Sequence, residues 1–359
     1  MRIATYNLNN LFERPKVFEL DGFSSEAKPI LKAYYWLVNT CEKATYSESD
    51  KVQMLSYIKE YVEPKKKTDK YITINQVKGK LYSNYKGKLS LKANGRSDWL
   101  GWVELIKNEV NEIATQNTAK VIEEINADIL CCVEAENRVV LQNFNKYLLN
   151  SKYKYAMLID GNDERGIDVG ILSKHPIVSI ESHIFDTYKD DRGIEREVFS
   201  RDCAVYSIEY NNQVIHMLCN HFKSQGYGSK ESNDKKRKRQ AARVKEIIQE
   251  KGFDLLTDYV IVSGDLNDSP GNDPLKPLLT MPNLVNSVTL LNTENTGTYQ
   301  GGKKQLDYLL ISRALADRYM QGGIERRGIY SVRGDKFDSV TSKINQASDH
   351  AAVWAEFNF

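Results

Sequence analysis

At 359 residues, the chain can bury a large core as one domain, or as one domain that carries a sizeable insertion. Its hydrophobic content of 41% and charged content of 27% are ordinary for a globular protein, and its net charge of +2 indicates no class of partner. The five cysteines show no Cys-x-x-Cys spacing, which argues against a zinc site and a disulfide framework. Because no leader and no apolar run of ~18 residues is present, we expect a cytoplasmic monomer that has no membrane partner.

Residues 20–116 differ from the rest and are predicted to form a mostly helical, basic insertion. Between Glu63 and Arg96, ten Lys and Arg residues stand against two acids, a local net charge of +8, with Tyr71, Tyr82 and Tyr85 interleaved. This mixture is typical of a surface that contacts a nucleic-acid backbone, although a solvated lysine-rich hairpin explains it equally well. After a turn at residues 94–99, a helix is predicted to continue to residue 111.

Two predicted strands in the first part of the chain end in polar residues. The first covers residues 2–7 and delivers Asn7 to its end, where a simple turn would also explain the sequence. The second, at residues 129–133, follows a helix and ends in Glu134. A carboxylate directly after a buried strand is costly unless it is paired or binds a metal, which makes Glu134 a candidate ligand.

The middle of the chain adds further polar strand ends. A loop that contains Arg165 leads into a strand with Asp168 near its start, and Arg201 opens a later strand. The apolar strand at residues 214–219 ends in Asn220-His221, followed by Lys223 and a glycine-rich loop, a combination that suits anion binding. A lone histidine at a strand end is nevertheless more often structural than catalytic. The basic helix that follows, with its cationic run at 235–239, is either a phosphate contact or a solvated face.

The stretch Gly264-Asp265-Leu266-Asn267 is the most informative one. It follows the buried strand at residues 259–262, and strand alternation would place Asp265 and Asn267 on one face. A carboxylate beside a carboxamide can bind a hard metal, orient a water and donate to a phosphate oxygen. An Asx-turn is the alternative explanation.

The last two polar strand ends are Asp307 and the pair Asp349-His350. Short strands alternate with few helices, and the polar residues gather at strand ends. The pattern predicts an α+β two-sheet sandwich flanked by helices, with one site assembled at one edge of the sheets.

Taken together, these stretches resemble the endonuclease/exonuclease/phosphatase superfamily, which includes apurinic/apyrimidinic endonucleases, pancreatic-type deoxyribonucleases, sphingomyelinases and inositol-polyphosphate 5-phosphatases. The resemblance is carried, in this order, by Asn7, Glu134, Asn220-His221, Gly264-Asp265-Leu266-Asn267, Asp307-Tyr308 and Ser348-Asp349-His350. It covers residues 2–359 except for roughly 20–116. It implies one domain over 1–359 that contains the insertion, a four-layered α/β/β/α sandwich, and a phosphoesterase that depends on Mg²⁺ or Mn²⁺.

The resemblance also implies roles for the metal site and the reaction centre. Glu134 would hold the metal, Asn7 would orient it, and Asp349 would add a second carboxylate. All-oxygen ligands favour Mg²⁺ or Mn²⁺ over zinc. The remaining expected roles are water positioning for Asp265, phosphate donation for Asn267, and a histidine–carboxylate pair of His350 with Asp307.

A second pair is expected between His221 and Asp168. Three cations, Arg165, Lys223 and Arg201, are expected to clamp the phosphate, with Asn220 also facing the substrate. The Asp163–Asp168 stretch has no clear equivalent in the best-known members of the superfamily.

The predicted function is therefore a metal-dependent nuclease that hydrolyses DNA, with residues 63–96 and 235–239 as backbone contacts. One alternative is a phosphatase or phosphodiesterase acting on a small or lipid-derived ester, with the insertion forming the wall of a pocket. Another is a non-catalytic nucleic-acid-binding protein, for which a broken motif would be the evidence. Every ionisable position of the motif set is intact.

Overall fold

The strands and helices lie in two compact units of a computed structural model, which describes residues 1–9, 11, 15–20, 25–107, 111–163, 165–226 and 228–359. One unit comprises Met1–Phe12 and Val110–Phe359, and the other comprises Glu13–Glu109. The strands are β1 (Arg2–Asn7), β2 (Ile72–Gln76), β3 (Tyr82–Tyr85), β4 (Lys88–Leu91), β5 (Gly101–Leu105), β6 (Ile129–Ala135), β7 (Tyr155–Ile159), β8 (Asp168–Ser173), β9 (Ile177–Glu181), β10 (Thr187–Lys189), β11 (Glu195–Glu197), β12 (Cys203–Tyr210), β13 (Gln213–His221), β14 (Tyr259–Asp265), β15 (Leu284–Asn286), β16 (Asp307–Ser312), β17 (Tyr319–Glu325) and β18 (Ala352–Phe357). The α-helices are α1 (Ala27–Cys41), α2 (Glu48–Tyr57), α3 (Glu112–Ile125), α4 (Arg138–Leu148), α5 (Lys230–Glu250), α6 (Lys276–Leu279) and α7 (Arg313–Ala316).

The larger unit contains two six-stranded mixed sheets. The first has the strand order β17-β18-β1-β6-β8-β7, and the second has the order β15-β16-β14-β13-β12-β9. In each sheet one central pair is parallel, β1 with β6 and β13 with β14, while the other pairs are antiparallel.

Alternation along the central strands explains the layers. In β6, Ile129, Cys131 and Val133 face the core between the two sheets, while Leu130 and Cys132 face α3 and α4. The second sheet is built in the same way, and its outer face packs on α5 and α6. Strands buried on both faces read as continuous apolar runs, which is why they were visible in the sequence. The predicted α/β/β/α sandwich is confirmed.

The same topology gathers the polar strand ends at one edge. The parallel strands β1, β6, β13 and β14 end there, and their antiparallel neighbours β8, β12, β16 and β18 begin there. All five cysteines are buried and free, and none of the helices within the described ranges is long and apolar enough to cross a bilayer.

The smaller unit differs from the mostly helical insertion that the sequence suggested. Its first half is helical, with α1 and α2, but its second half forms two two-stranded sheets, β2 with β5 and β3 with β4. The helix expected up to residue 111 is instead β5, in which buried Val103 and Leu105 alternate with the exposed Trp102. The side chains of this segment therefore alternate with the period of two of a strand. In such a short amphipathic stretch, the sequence alone does not distinguish a strand from a helix.

Gly264 is required where β14 approaches β13. Its φ is +125°, and a Cβ at this position would lie 1.9 Å from the carbonyl oxygen of Asn220. The backbone of the two strands thus has no room for a side chain one residue before Asp265.

We expect Gly264→Ala to lower the free energy of unfolding by about 3 kcal/mol or more. The added methyl group must displace backbone atoms, and the alanine must adopt a φ that is unfavourable for it. Gly271→Ala is the matched control, since nothing lies within 4 Å of its added Cβ. Its effect should stay within about 0.5 kcal/mol in urea titrations. Equal midpoints for the two variants would contradict the steric argument.

Candidate active site

The carboxylate of Asp265 lies at the centre of the polar edge and is 1% exposed. Its Oδ1 accepts the backbone N–H of Asn267 at 2.8 Å, and its Oδ2 accepts Nδ2 of Asn7 at 3.3 Å. The same Oδ2 lies 3.7 Å from Nε2 of His221 and 3.8 Å from Nε2 of His350. Side chains from both sheets therefore converge on one carboxylate oxygen.

His350 is held by a fixed carboxylate. Its Nδ1 lies 2.9 Å from Oδ2 of Asp307, which also accepts the hydroxyl of Thr298 at 2.7 Å. The Thr298 oxygen in turn accepts the backbone N–H groups of Leu306 and Asp307. The predicted pairing of His350 with Asp307 is present, and its catalytic role stays a prediction.

His221 does not pair with Asp168. Its Nε2 faces Asp265 and, at 3.8 Å, Oε1 of Glu134, while its Nδ1 has no hydrogen-bond partner among the described residues. Asp168 instead accepts the backbone N–H of Gly161 at 2.8 Å. The prediction of this second pair was wrong, because sequence proximity to a strand start does not indicate which way a side chain turns.

The two histidines are driven to opposite protonation states. Burial alone would lower the pKa of His350, but the two carboxylates that it faces raise that pKa well above its ordinary value. Burial lowers the pKa of His221 well below its ordinary value, and the guanidinium groups of Arg201 and Arg165 lower it further. The surroundings thus favour the protonated form of His350 and the neutral form of His221. Titratable groups whose environments separate their pKa values in this way are typical of acid–base sites.

A group of cations surrounds Asp163, a residue to which the sequence assigned no role. Arg165 bonds both oxygens of Asp163, at 2.8 and 2.6 Å, and Nε of Arg201 lies 2.8 Å from Oδ2. Burial would raise the pKa of Asp163, but the two guanidinium groups hold it well below its ordinary value. Burial and the charges of Arg201 and Arg165 lower the pKa of Lys223 to about 7, and burial with Arg201 also lowers that of Lys236.

The cationic run on α5 contains one buried arginine, and three of its other cations have partners nearer the surface. Arg237 is 2% exposed, bonds Oδ2 of Asp268 at 2.9 Å and donates to the carbonyl of Lys223 at 3.1 Å. It therefore ties the loop after β13 to the loop after β14. The neighbouring cations are also engaged: Lys235 with Glu231, Lys238 with Asp273, and Arg239 over the ring of Tyr188.

Two predicted substrate contacts need correction. Asn220 is fully buried, its Nδ2 donates to the carbonyl of Leu218, and strand alternation turns it away from the face of His221. Asn267 does not continue the strand: its φ is +54° and it closes the Asx-type turn on Asp265. One N–H of its amide donates to the carbonyl of Phe222 at 3.1 Å, so at most one remains for a phosphate oxygen.

The donors at this edge fit a divalent cation. Ligand atoms of Asp265, Asp307 and His350 lie within 4.8 Å of one another, and Oδ1 of Asp307 is buried without a hydrogen-bond partner among the described residues, so this cluster is one of two candidate positions for a cation. The second is the part of the edge that contains Glu134 and Asp349. Glu134 lies on a β-bulge, where its φ is +58°. A bulge changes the direction in which a side chain leaves the strand.

Solvent access separates the candidate ligands. Mg²⁺ usually keeps several of its waters, so its protein ligands need a partly open surface. The side chain of Glu134 is 20% exposed, whereas that of Asp307 is 0% exposed. Asp349 is half-buried, and Oδ1 of Asn7 accepts the backbone N–H of Asn9. The structure thus leaves Glu134 and Asp349 partly exposed to a hydrated cation, whereas Asp307 is enclosed.

Comparisons with known proteins agree with this fold. A sequence model of the endonuclease/exonuclease/phosphatase family matches residues 92–325, well over half of the chain. No curated protein matches the chain in sequence.

Solved structures are similar over the sandwich. Beta toxin from Staphylococcus aureus is 17% identical, with 69% of this chain and 94% of that chain covered and a TM-score of 0.50. A mannosyl-6-phosphatase from Bacteroides thetaiotaomicron is 15% identical over 68% and 92%, with a TM-score of 0.49. Sphingomyelinase C from Streptomyces griseocarneus is 16% identical over 67% and 92%, with a TM-score of 0.43. At these identities the likeness concerns the fold.

The lowered pKa of Lys223 predicts a pH-dependent KM. If its ammonium binds a phosphate oxygen, the contact weakens as the pH rises through about 7 and the charge is lost. For bis-p-nitrophenyl phosphate, whose own charge is constant in this range, KM should rise about tenfold between about pH 6 and pH 9.

Lys223→Arg should flatten this rise in KM, because an arginine stays charged over the whole pH range. Lys303→Arg, at an exposed position, is the control and should leave the rise in KM unchanged. A Lys223→Arg profile that overlays the wild-type profile would show that Lys223 does not bind the substrate.

Proposed function

The chain belongs to the endonuclease/exonuclease/phosphatase family, and on this premise we propose that it is a divalent-metal-dependent hydrolase of small or lipid-derived phosphoesters. Family membership supports the reaction class, which is hydrolysis of a phosphoester bond. One observation supports the choice of substrate: Arg237, at the centre of the cationic run on α5 that the sequence assigned to DNA, is buried and bonded to Asp268, and its neighbours Lys235 and Lys238 are held in surface ion pairs.

The catalytic part of the proposal uses the charge states of the site. Hydrolysis needs an attacking water, positive groups that neutralise the charge of the phosphoryl oxygens, and a proton donor. Asp265, whose pKa burial raises, positions the water and accepts its proton. His350, protonated and fixed by Asp307, donates to a phosphoryl oxygen.

A divalent cation held by Glu134 and Asp349 would neutralise part of the phosphoryl charge and the negative charge of the oxygen that leaves as its P–O bond breaks. Arg165 and Arg201 lie at a fixed spacing because both bond Asp163, and they bind the non-bridging oxygens together with Lys223.

Substrate size follows from where positive charge is available. A duplex-binding surface needs several accessible cations along a groove, since each phosphate contact releases counterions. On α5, Arg237 is buried and three further cations are engaged. In the smaller unit, Arg96 donates to the carbonyls of Trp99 and Gly101, and Tyr82 is buried with its hydroxyl on Glu63.

A nuclease acting on DNA is the second candidate. The observation in its favour is the acid-free stretch from residue 70 to residue 97, which contains six lysines and one arginine. The lysines at 78, 80, 86, 88 and 92 are exposed.

A substrate panel tests the proposal. With Mg²⁺ or Mn²⁺, the protein should hydrolyse bis-p-nitrophenyl phosphate and a choline phospholipid faster than it nicks plasmid DNA, and a chelator should abolish all turnover. Asp265→Asn should lower the rate by about 10² or more without unfolding the protein, because a proton acceptor is lost. Asp335→Asn, an exposed control, should retain wild-type activity. Preferential cleavage of plasmid DNA would support the nuclease instead, and near wild-type turnover by Asp265→Asn would refute the site.

A further inference from the structure

The outer face of the β2–β5 sheet in the smaller unit carries an apolar cluster that the reaction does not use. The inner face is buried, with Ile72 and Ile74 of β2 opposite Val103 and Leu105 of β5. On the outer face, Val77, Leu100 and Trp102 are 51%, 71% and 59% exposed. The two strands therefore form an amphipathic sheet whose exposed face is apolar at one end.

These three side chains share one face. Asn75 pairs with Trp102 and Gln76 with Gly101 across the strands, and the N–H of Val77 donates to the carbonyl of Leu100 at 3.1 Å. Residues directly opposite each other, and residues two apart, project from the same side of a sheet. The indole N–H of Trp102 donates to Glu104, which leaves the apolar part of the ring exposed with its donor satisfied.

Positive charge follows Val77 in sequence, whereas the acids Asp98 and Glu104 flank Leu100 and Trp102. The turn directly after Val77 contains Lys78 and Lys80, and the β3–β4 hairpin that follows adds exposed Lys86 and Lys88. No acidic residue occurs between residues 70 and 97. Large exposed apolar side chains with a polar rim mark interaction sites, and a tryptophan beside lysines is typical of the interface between water and a bilayer.

We propose that Val77, Leu100 and Trp102, with the adjacent lysines, form a docking surface for an anionic lipid bilayer. The lysines complement the negative surface potential of acidic phospholipids, while the indole and the two aliphatic side chains enter the interfacial region. The sequence predicted no membrane partner because no segment could span a bilayer, but peripheral docking requires no spanning segment.

The aliphatic residues favour a bilayer over a nucleic acid. Leu100 and Val77 offer nothing to phosphates, and base stacking requires exposed aromatic rings. Of the three tyrosines that suggested nucleic-acid binding, Tyr82 is buried and Tyr71 is covered by the ammonium of Lys16 at 4.6 Å, which leaves only Tyr85, 71% exposed. The proposal goes beyond the proposed function, because docking can be measured without turnover.

Co-sedimentation with vesicles tests the proposal on the full-length protein. The protein should bind phosphatidylcholine vesicles that contain phosphatidylserine, bind poorly to pure phosphatidylcholine vesicles, and dissociate at high salt. Leu100→Ser with Trp102→Ser, and separately Lys80→Glu with Lys88→Glu, should each weaken binding by about tenfold or more. Lys78 and Lys86 are left unchanged because both have positive φ.

Matched controls separate docking at this surface from non-specific adsorption to the vesicles. Val139→Ser, at a 60% exposed position on α4, and Lys303→Glu with Lys304→Glu should retain wild-type binding. Lipids with brominated acyl chains should quench the tryptophan fluorescence of the wild type, and Trp102→Phe should lose most of that quenching. Hydrolysis of bis-p-nitrophenyl phosphate should be unchanged in every variant, which shows that each is folded.

Three results would overturn the proposal. The first is that the wild type does not bind anionic vesicles, and the second is that Leu100→Ser with Trp102→Ser leaves vesicle binding unchanged. The third is that the wild type binds DNA but not vesicles, and that Lys80→Glu with Lys88→Glu abolishes the binding to DNA. Because binding is measured without turnover, a failure of docking is distinguishable from a failure of the proposed activity.

Discussion

The buried carboxylate of Asp265 joins the two sheets at the site, and the other groups are arranged around it. Moving an ionised carboxylate out of water costs several kcal/mol unless bonds and charges compensate. Here one oxygen accepts a backbone N–H, while the other faces an amide and two imidazoles. Asn7 and Glu134 come from the first sheet, and His221 and Asp307 from the second. The registers of four strands therefore decide whether the site exists.

The two histidines show how one edge can supply both an acid and a base. They face the same carboxylate oxygen, yet the second contact of each ring differs. Asp307 and Asp265 raise the pKa of His350 against the effect of burial, whereas burial and then the charges of two arginines lower the pKa of His221. The Arg–Asp–Arg arrangement around Asp163 thus adds to the effect of burial on the pKa of His221, and in the proposed function its two guanidinium groups bind the substrate anion.

The fold and the edge that holds the site were predictable, because buried strands read as apolar runs and each run ended in a polar residue. What an isolated strand end does not indicate is the direction of its side chain. Asn220 and His221 are adjacent in sequence, yet only His221 faces the site. Asp163 escaped notice because it lies in a loop, and its importance arises from Arg201, which is distant in sequence. The pairing of β2 with β5 was not predicted because short amphipathic stretches are ambiguous between helix and strand, whereas a lysine-rich hairpin was one of the two explanations of residues 63–96.

In the proposed function, Glu134 would hold the cation, whereas Asp307 bonds His350. Manganese binding, measured by titration calorimetry on the wild type and on two isosteric variants, tests it most directly. Glu134→Gln should weaken binding by about tenfold or more, because a hard anionic ligand becomes neutral. Asp307→Asn should leave the Kd within about twofold, because Oδ2 of Asp307 is already bonded to Thr298 and His350. Loss of binding in Asp307→Asn, with wild-type binding in Glu134→Gln, would contradict the account and move the cation to the Asp265–Asp307–His350 cluster.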